Sequence, residues 1–290
     1  MIGPARALRE VGVSFAKSEV LVLCYHAVRS RECFDAQMST LIERGYSILT
    51  MEEFTAWVRR RQPIRSPAVL LTFDGGYRSQ LDNALPTLEA LKLSATFFPV
   101  SASLDDGASR HDLAALAAAG HTIGCHTHTH ADLTTLSPAD LEREVVTSKR
   151  LLEDVVGHEV TAFCYPDGLR NSRVAAMVQR AGFHVAFTID LGDVRPGDDP
   201  YQLRRIAILG EPGRREFAAY LKGSRFIARG DVARLEDSRA LLGLEDPLAA
   251  RALVLPGSTR HPTSVHRSAG RSGLFHFLAL LAQGLLLARA

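Results

Sequence analysis

The stretch VLLTFDGGY, Val69 to Tyr77, decides how this chain is read. Its first five residues are almost unbroken in apolarity, which suits a short strand covered on both faces. The run then stops at Asp74, Gly75 and Gly76. A carboxylate at the end of a buried strand needs partners. Two glycines allow backbone to approach a ligand closely, although Asp-Gly is also an ordinary turn signal.

Working outward, the same kind of run recurs. VLVLCYH begins at Val20 and SILT at Ser47, both before it; SATFFPV, HTIGCHT, TAFCYP, HVAFTI and RIAIL follow. Between them lie stretches with apolar residues at helical spacing: residues 34–44, 82–92, 111–119, 138–156 and 171–181. Ser137-Pro138 is a good helix start, and Gly45, Gly120, Gly157 and Gly182 sit where helices should stop. Seven or eight βα repeats predict an α/β fold, a distorted (β/α)7-8 barrel. In such barrels the chemistry collects at the C-terminal ends of the strands.

Four strand ends carry polar groups: Tyr25-His26, Asp74-Gly75-Gly76, His126 to His130, and Tyr165-Pro166-Asp167-Gly168. His126 and His130 are four apart and can reach one ion if the backbone turns helically there. Three histidines in five residues favour a metal over a merely hydrogen-bonded loop. A carboxylate from another strand end would complete a three-ligand site with one open position, and Asp74 is the candidate. Asp74 reads equally as a general base taking a proton from the attacking water, and His26 as the acid that protonates a leaving amine.

LTFDGGY, HTHTH followed by ADLTTLS, and FCYPDG together resemble the polysaccharide deacetylase family, the NodB homology domain or carbohydrate esterase family 4. The likeness runs from about Val20 to Gly210 and is greatest to the subgroup with an N-terminal Tyr-His strand, as in poly-N-acetylglucosamine deacetylases. It implies a NodB-type barrel and a hydrolase that removes N-acetyl groups from an N-acetylated polysaccharide or glycan. It places the catalytic base on Asp74, the metal-binding histidines on His126 and His130, and the acid on His26. It places the substrate and oxyanion segment on Tyr165, Pro166, Asp167 and Gly168. The implied cofactor is a divalent cation, zinc first, with cobalt or nickel as alternatives. Three positions depart from the family pattern, one of them Asp167, which stands where the family has a tyrosine. Gly75 stands where the family has a metal-ligand aspartate, and Cys164 where it has an arginine. Asp74, His128 or a water could then serve as the third ligand. The departures keep two rivals open: a metal-independent amidohydrolase on a non-peptide C–N bond, and a non-catalytic carbohydrate-binding barrel.

Composition sets the remaining bounds. The chain has 290 residues, 46% hydrophobic and 23% charged, so it is neither disordered nor collagenous. A net charge of +2 does not suggest a nucleic-acid partner. Four cysteines without a C-x-x-C pair make no disulfide scaffold or zinc ribbon. The expected organisation is a lead-in at 1–19, the deacetylase-like domain at 20–228, and a tail at 229–290. The tail holds a flexible linker and the apolar run Leu274–Leu287, too short to span a bilayer. From Arg251 onward it carries five arginines and no Asp, Glu or Lys, which suits contact with a membrane surface. The lead-in shows no signal pattern as written, so the expected location is the cytoplasm, peripheral to the inner membrane.

Overall fold

The computed structural model describes residues 19–104 and 107–222. The tail at 229–290, with its linker and apolar run, lies outside the described residues, as does all but the last residue of the lead-in.

Strand β1 (Val20–Tyr25) leads into helix α1 (Arg31–Glu43), and β2 (Ser47–Ile48) into α2 (Met51–Val58). Next come β3 (Ala68–Gly75) and α3 (Leu85–Leu91), then β4 (Thr96–Pro99) and α4 (Arg110–Ala118). After β5 (Thr122–Ile123), α5 (Pro138–Glu142) runs through a π turn (Arg143–Thr147) into α6 (Ser148–Val156). The chain finishes with β6 (Ala162–Cys164), α7 (Ser172–Arg180), β7 (Val185–Leu191), β8 (Leu203–Ala207) and α8 (Arg214–Tyr220). Helices α2 and α8 are additions to the sequence reading. Thr50 builds a capping box with Glu53 at the start of α2, a local signal visible in Thr50-x-x-Glu53.

The strands pair in the order β5-β4-β3-β1-β8-β7-β6, with β2 added beside the first residues of β3. Every pairing between these strands is parallel. The open edges of β5 and β6 meet through Cys125, whose N–H donates to the Ala162 carbonyl at 2.9 Å and whose carbonyl accepts from Cys164 N at 2.8 Å. A seven-strand sheet is thereby drawn almost closed into the expected barrel.

Period-two alternation decides what faces the interior. Val20, Val22, Leu70, Phe98, Ala162, Val185, Phe187 and Leu203 share one buried cluster. Two residues further along, the same faces present Cys24 on β1, Thr72 and then Asp74 on β3, Cys164 on β6 and Arg205 on β8. The lower barrel is therefore a packed apolar core, and the layer under the C-terminal mouth is polar.

Candidate active site

Asp74 and Arg205 occupy the centre of that polar layer, each almost wholly buried (2% exposed). Arg205 donates from Nη1 to Asp74 Oδ1 at 2.8 Å and from Nη2 to Asp74 Oδ2 at 2.6 Å. Its other donors reach the Thr188 carbonyl at 2.9 Å, Thr72 Oγ1 at 3.4 Å and Cys164 Sγ at 3.0 Å. A guanidinium has five N–H groups in a rigid fork, and all of them meet an acceptor here. The Cys24 and Cys164 thiols also point at Asp74 Oδ2, at 3.5 and 3.3 Å. Gln80 ties the strand ends together, donating to the carbonyls of Asp74 at 2.7 Å and His26 at 3.0 Å.

Burial pushes the Asp74 carboxyl up, but Arg205, helped by His126 and His26, outweighs it and holds the acid well below the usual carboxylate range. Both thiols are pushed up by burial, so Cys24 and Cys164 are neutral neighbours of the carboxylate. A lone buried carboxylate would take up a proton instead.

His126 is also buried, and its Nδ1 lies 2.9 Å from the Cys164 carbonyl. A carbonyl only accepts, so Nδ1 carries the proton and Nε2 keeps its lone pair. Burial pushes this imidazole down to about 4, against the raising pull of Asp74. His126 is therefore neutral at physiological pH and chemically a metal ligand or a proton acceptor.

The histidine loop turns differently from the helical turn expected of it. Thr127 and His130 both adopt left-handed backbone, at φ 66° and 61°, and the His130 N–H donates to Thr127 Oγ1. This turn sets the His130 ring edge-on to His126, with centroids 4.7 Å apart, while leaving His130 exposed. Glu144, in the π turn between α5 and α6, holds the loop from beneath. Its Oε2 accepts from the N–H groups of His128 and Thr129 at 2.9 and 2.8 Å, and its Oε1 from the Thr129 hydroxyl at 2.6 Å. The third histidine of the loop, His128, bonds to Ser101 at 2.9 Å.

Among the described residues, two groups of metal-ligating atoms lie within 4.8 Å of one another: Asp74 with His126 and Cys164, and Asp74 with Cys24 and His26. His130 belongs to neither group, though its ring adjoins His126. Position 75 offers no ligand. A Cβ built on Gly75 would lie 2.5 Å from Cε2 of the Tyr77 ring, so that ring covers the place a side chain would need. The donors that converge closely enough for one cation are therefore those of Asp74 with His126 and Cys164, or with Cys24 and His26, while the His130 ring stands beside His126 without joining either set.

In the segment Tyr165 to Gly168 the tyrosine faces inward. Tyr165 is buried, its hydroxyl donates to the Tyr201 carbonyl at 3.2 Å, and its N–H to Phe187 at 3.0 Å. Its ring packs edge-on against Phe163, so the Tyr165 side chain is part of the core. Pro166 has no N–H, and that of Gly168 is used within the turn, on the Tyr165 carbonyl. Asp167 sits in left-handed backbone, φ 51°, at the apex of this turn.

Arg205 and Glu144 escaped the sequence reading. The signal for Arg205 was an arginine inside the apolar run LRRIAI; that for Glu144 was an acid on the otherwise inward face of the helix after the histidine loop.

The chain is similar to several known proteins. Residues 61–186 match the family model for polysaccharide deacetylase. YxkH of Bacillus subtilis (strain 168), classed among the polysaccharide deacetylases, is 26% identical over 215 residues, covering 70% of this chain and 76% of that one. The poly-beta-1,6-N-acetyl-D-glucosamine N-deacetylase of Staphylococcus aureus (strain MSSA476) is 25% identical over 197 residues, 62% of this chain and 67% of that one. Among solved structures, a polysaccharide deacetylase from Bacillus cereus superposes with a TM-score of 0.63 at 27% identity, covering 70% of this chain and 69% of that chain. The Streptococcus pyogenes deacetylase PplD shares the fold, with a TM-score of 0.64 at 23% identity over 68% of this chain and 95% of that one.

Proposed function

We propose, for a chain that carries a polysaccharide deacetylase domain, that it hydrolyses the N-acetyl groups of an N-acetylated glycan. The observation that carries this reading is the buried Asp74 carboxylate, kept ionised by Arg205 at the same barrel mouth as the neutral His126 imidazole. An anionic carboxylate there can take a proton from water attacking the amide carbonyl. His26, half-buried just past the end of β1 and beside Asp74, would return a proton to the departing amine. His126 and His130 would hold a divalent cation, zinc by the chemistry of two imidazoles with a carboxylate nearby. When bound, such a cation supplies Lewis-acid polarisation of the acetyl carbonyl. Tyr77, Leu169 and Leu191 follow or end three of the strands and expose large apolar surfaces, which suit the faces of sugar rings.

The test is acetate release from β-1,6-linked N-acetylglucosamine oligomers by the full chain, with added Zn²⁺, Co²⁺ or Ni²⁺. Release that vanishes in Asp74→Asn supports the reading. No release from folded protein with any of these ions overturns it. One observation favours a second reading, a barrel that binds glycans without turnover: the Tyr77 ring lies where a further ligand side chain at position 75 would go. Oligomer binding by calorimetry without acetate release would establish that alternative.

A further inference from the structure

The opposite end of the barrel holds a groove that this chemistry does not use. It has a volume of about 490 Å³, and its lining includes Arg59, Arg60, Arg61, Gly197 and Tyr201. It adjoins the start of β7, where the His184 carbonyl accepts from Arg59 at 2.6 Å, whereas Asp74 lies at the far end of β3. Parallel strands put those two ends on opposite faces of the barrel.

The groove is built rather than merely basic. Arg60 adopts left-handed backbone, φ 56°, because it closes helix α2: its N–H donates to the Trp57 carbonyl at 2.8 Å and that of Arg61 to the Ala56 carbonyl at 2.7 Å. The Val58 carbonyl, just before the arginine run, accepts from Gly197 N at 2.9 Å. Gly197 lets the guanidinium lie flat against the loop: a Cβ there would be 2.5 Å from Arg60 Nε and 2.6 Å from its Nη2. A side chain held this way would ordinarily be fixed by a carboxylate. The nearest acid in the lining, Asp198, is already taken by Arg204 at 2.7 Å and by the Arg195 N–H at 3.0 Å. Arg59 Nε is buried without a hydrogen-bond partner among the described residues. A glycine kept free for close approach and a buried orphan donor coincide in one groove.

We propose that this groove binds a phosphate or phosphodiester group, with Arg60 as its central ligand and Arg59 and Arg61 flanking it. A guanidinium fork matches two phosphate oxygens, and three adjacent cations suit a doubly charged group better than a carboxylate. The group could be carried by a soluble phosphate ester or by a lipid headgroup. Either would hold the domain by its base and leave the catalytic mouth turned outward to a glycan.

The test uses the full chain, calorimetry with inorganic phosphate and glycerol phosphate, and sedimentation with phosphatidylglycerol or phosphatidylcholine vesicles. Saturable phosphate binding weakened about tenfold or more in Arg60→Gln supports the proposal. Arg60→Lys should recover only part of it, Arg61→Gln should weaken it less, and Arg65→Gln, outside the groove, should leave it unchanged. Acetate release should be the same in all four variants. Binding to phosphatidylglycerol vesicles with the same Arg60 dependence would identify the lipid source. Binding of soluble phosphate alone would identify the other. No binding of either kind, or binding indifferent to Arg60 and Arg61, overturns the proposal.

Discussion

Arg205 grips the Asp74 carboxylate with both terminal nitrogens, at 2.8 and 2.6 Å, inside a barrel that exposes only 2% of either residue. Such a pair does not make the fold stable by existing; desolvation of both charges offsets most of the attraction. Its effect shows when one partner goes. Arg205→Met leaves a buried carboxylate among two thiols, and unfolding free energy should fall by about 3–5 kcal/mol. The double variant Asp74→Leu with Arg205→Met should regain most of that loss, because no buried charge is then left alone. Urea denaturation of the parent and the two variants checks this, and a double variant no better than Arg205→Met would refute it.

His126 gives the domain a pH dependence of definite sign. Its imidazole is neutral in the fold, pushed down from 6.5 to about 4, so the unfolded chain binds the proton more readily. Stability should therefore fall as pH drops through about 6.5 and level off near 4, a loss on the order of 3 kcal/mol by the proton linkage. Asp74 acts in a lower window. Its acid is depressed, so its contribution is full above about 4 and is lost only in stronger acid. His126→Gln should flatten the melting curve between pH 7 and 4.5 and leave the acid limb in place. An unchanged slope in that variant would remove the assignment.

The barrel was legible in the sequence because strands covered on both faces are nearly continuous in apolarity, and runs such as VLLTF and TAFCY need no partner to be recognised. Arg205 was not. Arg204 and Arg205 are adjacent, and alternation places one of them inside without saying which; that depends on the register of β8 against β1, where Leu23 meets Ile206 and Cys24 meets Ala207. Tyr165 misled for a related reason. A polar tip at the end of an apolar strand suggests the mouth, yet the Tyr201 carbonyl accepts from its hydroxyl inside the fold. His126, His130 and Asp74 were legible as residue types at strand ends, but the left-handed Thr127 that turns the two rings together follows from tertiary bonds to Glu144 and Ser101.

Glu144 should matter to the histidines without touching them. Glu144→Ala removes the acceptor of two backbone N–H groups and one hydroxyl, all part-buried, so each lost bond should cost about 1 kcal/mol. The loop should loosen, lowering the melting temperature and weakening Zn²⁺ binding in calorimetry. Glu144→Gln keeps an acceptor oxygen for the two N–H groups and should restore most of both. Equal Zn²⁺ affinity in Glu144→Ala and the parent chain would show that Glu144 supports the helix alone.

Restoring an acid at position 75 should not be simple. Gly75 sits at φ 91°, where a side chain is strained, and its missing Cβ would meet the Tyr77 ring at 2.5 Å. Gly75→Asp should therefore destabilise the domain by about 1–2 kcal/mol from backbone strain, with further loss until the ring swings away. Because the obstacle is the far end of a flexible side chain, Tyr77→Ala in the same chain should relieve the steric part and leave the backbone part. The double variant frees the place of a side chain at position 75 for a carboxylate, and its Zn²⁺ affinity should exceed that of the parent and of Tyr77→Ala alone. Calorimetric titration of the four proteins separates the effects. If Gly75→Asp by itself binds Zn²⁺ as tightly as the double variant, the Tyr77 ring does not guard that position.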